Sequence, residues 1–366
     1  MPVAPRGALE GIELPAHGGL DHAELESLGL RPGEIVDFSA NLNPWGAPPD
    51  VREAIARADV SSYPDAEATA LRRALAARLG LATDQIIAGN GSSELLWLIG
   101  LAFVDPCDRV LIAGPTFGEY ERVARLAGAE VAINHARAGN GFRHDARQLG
   151  QVVDRWRPKV IFLCNPNNPT GHYLDRQSVM QLADNAGDSL LVLDEAYAGF
   201  VAQPWSPLDL LPRGVLVLRS LTKDYGLAGL RLGYAIGHAE VIAALRKVRP
   251  PWNVNAVAQA AGLACLADEA HVAASRRRLA EAKDYLVSEL AKLGLRVLSS
   301  DTSFFLVEVD DARQLRARLL RRGLLVRDCH SFGLPRHVRI AARTLPECRQ
   351  LVAAIGAEIG ERSVRP

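Results

Sequence analysis

The chain has no surplus of charge of either sign. Its 366 residues carry 42 Lys and Arg against 42 Asp and Glu, a formal net charge of zero. Such a chain holds no polyanion by bulk charge, which argues against a dedicated nucleic-acid binder and a polybasic membrane anchor. Paired cysteines are also missing. Cys107, Cys164, Cys265, Cys329 and Cys348 are scattered, and no two form a C-x-x-C pair. That leaves no zinc or disulfide framework, predicts no metal site, and fits a reducing compartment. Long hydrophobic runs are absent. The longest, Leu95 to Val104, falls far short of the roughly 20 residues that a spanning helix needs. The segment up to Gly19 holds no apolar stretch of signal-peptide length. A soluble, cytoplasmic protein is expected. The composition, 48% hydrophobic and 23% charged, is that of a globular chain of two to three domains at about 150 residues each.

Short apolar runs at Gln85–Ala88, Arg109–Ala113, Glu130–Asn134, Lys159–Cys164, Ser189–Leu193, Val215–Leu218 and Leu232–Ile236 read as buried strands, most of them separated by helical patterns. Continuous apolar strands alternating with helices predict an α/β fold with a mostly parallel sheet covered on both faces. Asp50 and Glu53 stand at capping-box spacing before one helix, and Thr344 and Glu347 before another. Leu71, Leu75 and Leu79 recur at helical spacing and stop at Gly80. From Asn255 the texture changes: two helical segments run back to back, then strand-like runs follow at Ser303–Val309, Leu324–Arg327 and Val338–Ala341. This predicts an arm over 1–45 packing on the smaller domain, a large domain over 46–252 and a smaller α+β domain over 253–366.

Four motifs carry chemistry. Asn165-Pro166-Asn167-Asn168-Pro169-Thr170-Gly171 follows an apolar strand. It makes a rigid turn at a strand's carboxyl end, the edge where open α/β sheets bind ligands. An isolated Asn-Pro would be an ordinary turn. Leu190 to Leu193 ends in Asp194-Glu195-Ala196-Tyr197, a carboxylate at the end of a buried strand. A P-loop NTPase reading of that strand needs an upstream G-x-x-x-x-G-K-[ST], which the chain does not have. In Ser220-Leu221-Thr222-Lys223 a lysine stands among hydroxyls, with Arg231 eight residues on. This suits an amine held near an aldehyde and a phosphate, where desolvation keeps part of it nucleophilic. Gly89-Asn90-Gly91-Ser92-Ser93 opens a helix whose free N–H groups and hydroxyls suit a phosphate.

In this order, N-P-N-N-P-T-G, D-E-A-Y, S-L-T-K and G-L-R-L-G-Y resemble the fold type I pyridoxal-phosphate enzymes of the class I/II aminotransferase family, over nearly the whole chain. His17-Gly18-Gly19, the run Asp37 to Pro44, Tyr63-Pro64-Asp65, Pro251 to Asn255 and Leu325 to Cys329 are similar to its histidinol-phosphate aminotransferase branch and, more closely, to threonine-phosphate decarboxylases of cobalamin biosynthesis. The resemblance implies pyridoxal 5'-phosphate bound by Lys223 as a Schiff base, with Asp194 on the pyridine nitrogen. It implies Asn168 and Tyr197 on the phenolic oxygen and Phe117 stacked on the ring. It puts Ser92, Ser93, Ser220, Thr222 and Arg231 on the phosphate, and Tyr63 on the phosphate of a neighbouring subunit in a homodimer. Arg339 matches the carboxylate-binding arginine. His17, Asn43 and Arg327 are candidates for a distal phosphate.

The expected reaction is decarboxylation of O-phospho-L-threonine to (R)-1-amino-2-propanol O-2-phosphate. The alternative is histidinol-phosphate or another class I/II transamination. A cofactor-binding regulator without turnover is disfavoured, because the segment ahead of residue 46 is neither helical in pattern nor basic and the Asp194/Lys223 pair is intact. Asp224 departs from the family pattern, which tends to an uncharged residue after the lysine. It either raises the lysine's pKa or points away.

Overall fold

A computed structural model describes residues 3–4, 6–12 and 14–363, without the side chains of 269 and 361–363. Its strands are β1 (Val36–Asp37), β2 (Ile86–Asn90), β3 (Arg109–Gly114), β4 (Glu130–His135), β5 (Val160–Cys164), β6 (Leu190–Asp194), β7 (Val215–Ser220), β8 (Leu232–Ile236), β9 (Phe304–Glu308), β10 (Leu324–Leu325), β11 (Arg327–Asp328) and β12 (His337–Ala341). The seven runs read as strands from Gln85 to Ile236 are β2 to β8. They form one sheet in the order β2-β8-β7-β6-β5-β3-β4. Only β8 runs against its neighbours, so the sheet is mostly parallel. Alternate residues serve its two faces: Ile161 and Leu163 enter one apolar cluster, while Val160, Phe162 and Cys164 enter another. Helices cover both faces, which is why these strands are apolar throughout.

The topology gathers chemistry along one edge. Gly114, Cys164, Asp194 and Ser220 end the parallel strands β3, β5, β6 and β7. Because β8 is reversed, its first residue Leu232 pairs with Asn90, the last of β2, and Arg231 and Gly91 arrive at the same edge.

A second sheet, β11-β12-β9, is antiparallel. It packs with the helices Glu269–Lys292 and Leu345–Ser363 in a core of its own that includes Leu279, Leu286, Phe305 and Leu351. The run Leu324–Arg327 is not one strand. It breaks at Val326 because β10 pairs in parallel with β1, while β11 pairs with β12. The helix at Pro49–Arg57 has no side-chain cap, so the Asp50/Glu53 box does not form; Pro49 at the first helical position starts it with a preset φ. At Thr344 the backbone N–H does donate to Glu347 (3.0 Å). The helix Thr69–Leu79 ends on Gly80 at φ +67° as its pattern predicts. Among the described residues no helix is long and apolar enough to cross a membrane.

Candidate active site

At the sheet edge lies a cavity of about 490 Å³, counting its open mouth. Ser92, Ser93, Phe117, Asn168, Asp194, Tyr197, Ser220, Thr222, Lys223 and Arg231 all line it. Lys223 sits in the short helical turn Leu221–Asp224 directly after β7. Burial pushes its amine down to about 8, helped by the positive charges of Arg231 and Arg339. A useful share of the amine is therefore neutral near physiological pH. Its Nζ stands 5.9 Å from the Tyr197 ring.

Asp194 faces the cavity from the end of β6. Tyr120 donates its hydroxyl to Oδ2 (2.7 Å), and the Ala196 N–H donates to Oδ1 (2.9 Å). Burial raises the carboxyl's pKa against these bonds. A cation in the cavity would restore the charged form. Tyr120 also stacks on Phe162 (5.1 Å) and meets Phe117 edge-on (5.7 Å), so one tyrosine locates both the acid and the aromatic face. The sequence reading missed Tyr120, whose only signal was its place three residues after Phe117.

The asparagine-rich turn divides its labour. Asn165 bonds both backbone groups of Leu174, and Asn167 bonds Pro115 O, Thr170 and Thr116. With those two consumed by the turn, Asn168 faces the cavity, its Oδ1 accepting from Arg339.

At the other end, Gly91, Ser92 and Ser93, the first residues of the helix Gly91–Phe103, line the cavity. Gly91 adopts φ +76°, and a Cβ there would lie 2.9 Å from Arg231 Nη2. On Gly233 of β8 a Cβ would lie 2.6 Å from Ser92 N. Glycine at both positions keeps open a cradle of N–H groups, hydroxyls and one guanidinium, which is a phosphate's preference. Buried amine, opposing acid, aromatic wall and anion cradle together fit pyridoxal phosphate.

An outer chamber continues from this cavity and is lined by His17, Arg327 and Arg339. The two arginines are directly opposed across the β11–β12 pairing and are both about 95% buried. Arg327 donates to Ala16 O (2.8 Å) and Ser331 Oγ (2.6 Å); Arg339 donates to Ser39 O and Asn168. Burial lowers the pKa of both guanidiniums, and the charge of Arg327 lowers that of Arg339 further. Two like charges in register repel; the Asp328 carboxylate, 3.5 Å from Arg327, offsets one of them, and the pair could hold an anion. Gly18 lets the chain lie against Arg339: a Cβ there would come within 3.2 Å of its Nη2. His17 reaches Glu119 (3.3 Å) at the chamber wall.

Asn43 does not join them. Its Nδ2 donates to Asp224 O (2.9 Å) and Ser275 Oγ (2.9 Å), and its Oδ1 accepts from Trp45 N (3.1 Å). Its hydrogen-bonding capacity is used within the chain, which removes it as a phosphate ligand. Asn41, two residues earlier, lines the chamber instead. Tyr63 is 79% exposed and stacks on Trp252 (4.4 Å), outside both chambers of its own chain.

The sequence model for "Aminotransferase class I and II" matches residues 33–355. A histidinol-phosphate aminotransferase from Moorella thermoacetica is 36% identical over 337 residues, 90% of this chain and 86% of that one. The crystal structure of histidinol-phosphate aminotransferase from Sinorhizobium meliloti in complex with pyridoxal-5'-phosphate superposes with a TM-score of 0.88 at 26% identity, covering 98% of each chain. L-threonine-O-3-phosphate decarboxylase from Porphyromonas gingivalis gives 0.80 at 27% identity, covering 89% of this chain and all of that one. A catalytic edge built from these motifs, with a family match over most of its length, makes the chain a member of the class I and II aminotransferase family.

Proposed function

We propose that the protein is a pyridoxal-phosphate-dependent aminotransferase of the histidinol-phosphate type, acting on a small phosphorylated amine. The observation that carries this reading is Lys223 in one cavity with Asp194, opening onto the paired guanidiniums of Arg327 and Arg339. The similarity to named histidinol-phosphate aminotransferases supports it over the decarboxylation expected from His17-Gly18-Gly19 together with the segments Pro251 to Asn255 and Leu325 to Cys329.

Lys223 is the anchoring amine. Asp194, fixed by Tyr120, would keep the ring nitrogen protonated. Asn168 and Tyr197 would bond the ring oxygen, and Phe117 would supply an aromatic face. Ser92, Ser93, Ser220, Thr222 and Arg231 would hold the phosphate. The bound cofactor supplies an electron sink for the substrate's Cα. Arg339 and Arg327 hold the substrate's anionic groups and so decide which Cα bond is presented for cleavage. The Lys223 amine would be the base placed to take a proton from that carbon and return one. Tyr63 completes the partner subunit's phosphate site in a homodimer.

Decarboxylation of O-phospho-L-threonine is the second reading. Two cationic sockets in register, closed by the His17-Gly18-Gly19 segment, match one substrate carrying a carboxylate and a phosphate at once. The purified enzyme is given histidinol phosphate with 2-oxoglutarate, and separately phosphothreonine. Glutamate formation in the first supports transamination. CO2 release in the second with no glutamate in the first replaces it by decarboxylation, and silence in both rejects both.

A further inference from the structure

Immediately behind the cavity lies a buried carboxyl that the reaction above does not use. Asp224 ends the helical turn that carries Lys223. Its carboxylate is pressed onto Gly199 in the turn Ala198–Phe200, just after Tyr197: a Cβ at 199 would lie 2.5 Å from Asp224 Cγ and Oδ1 and 2.6 Å from Oδ2. Oδ1 is buried without a hydrogen-bond partner in the chain. Lys223 and Tyr225 face it from its own segment, Arg219 from β7, Tyr234 from β8, Cys265 from the helix Ala256–Ala267 and Arg276 from the helix Glu269–Lys292. Arg219, the strongest of these charges, is already committed to the buried Glu195 (2.6 Å). Asp224 is thus a charge without a dedicated counter-ion, one residue from the reactive amine.

We propose that Asp224 is a positioning residue that sets how tightly the Lys223 amine holds its proton, and hence the pH at which that amine captures the cofactor aldehyde. The inference rests on Lys223 being the anchoring amine. While ionised, the Asp224 carboxylate favours the charged ammonium, which is unreactive toward an aldehyde. When it takes up a proton, that restraint goes. Burial carries the carboxyl up to about 7 and the amine down to about 8, so both change charge in one pH window. Gly199 is part of the device, because any side chain there would displace the carboxylate.

The test uses the full-length enzyme stripped of cofactor and exposed to pyridoxal phosphate across a pH series. Capture is trapped by borohydride reduction and located by peptide mass. Asp224→Asn is expected to move the capture midpoint to lower pH, by about half a unit, because a like-segment negative charge that favours the ammonium is gone. Asp224→Ser, smaller and also neutral, is carried in parallel in case the asparagine does not fold, and is expected to shift in the same direction. An unmoved midpoint or a shift to higher pH overturns the proposal. So does failure of both variants to fold, which would make the carboxylate a structural prop. Capture by the parent enzyme that does not depend on Lys223, checked with Lys223→Ala, instead overturns the anchoring role itself.

Discussion

At the scale of single residues, the site is a set of pKa values displaced by burial. Lys223 is pushed down and Asp194 up. Lys223→Ala should abolish the absorbance band of the covalently held cofactor while circular dichroism stays native, since on the proposed reading the side chain anchors a ligand rather than a core. Asp224 makes a sharper prediction. Its folded-state pKa, about 7, lies above the unfolded value near 3.8. Between those pH values the folded chain binds the extra proton, and the associated stability is lost as pH rises. Asp224→Asn removes that dependence. The variant's Tm should therefore gain on the parent's as pH rises from about 4 to about 7, and a constant Tm difference across that range would count against the buried carboxyl. Among the substrate candidates, residue type alone was a poor guide. Asn41 and Asn43 stand two positions apart, and only the hydrogen-bond accounting of the folded chain separates the amide used internally from the one at the chamber wall.

At the scale of elements, one close approach holds the phosphate cradle together. β8 lies so near the start of the helix Gly91–Phe103 that a methyl group at 233 would meet only backbone: Ser92 N at 2.6 Å, Arg219 O and the Gly91 carbonyl carbon at 2.9 Å. Backbone cannot swing aside as a side chain can. Gly233→Ala should cost about 2 kcal/mol of stability and weaken cofactor binding, measured by chemical denaturation and by titration with pyridoxal phosphate. A gain in stability would mean that the helix start yields freely. Elements of the large sheet were legible because its strands, the half-buried edge strand β4 excepted, are buried on both faces and bounded by turn residues. The break at Val326 was not. Leu324 to Arg327 reads as one run, and its division between two sheets depends on β1, a two-residue strand with no periodicity to detect. The Asp50/Glu53 spacing misled for a related reason: a proline at the start had already supplied what the cap would give.

At the scale of the molecule, the site is assembled from segments far apart in the chain: residue 17, the β2–β8 sheet edge and the β11–β12 pair. Motif order conveyed this assembly better than any single motif did, because the family match fixes the fold that brings them together. Tyr63 and Trp252 extend the argument beyond one chain. Both are exposed, and they stack on each other outside the chain's own chambers. Tyr63→Ala should leave the monomer's fold intact yet weaken cofactor affinity several-fold, as followed by equilibrium dialysis, with sedimentation reporting the assembly. Unchanged affinity in a protein that sediments as a dimer would remove Tyr63 from the shared site.

The facing guanidiniums of β11 and β12 give the enzyme a dependence on its surroundings. That hairpin is held together against the repulsion of two cations, with one neighbouring carboxylate, Asp328, set against them. On the proposed reading a visiting dianion is both cargo and rivet. Simple oxyanions of the solvent should accordingly tighten this half of the protein and compete with the substrate, so that assays in phosphate or sulfate buffer would understate its appetite for the true one.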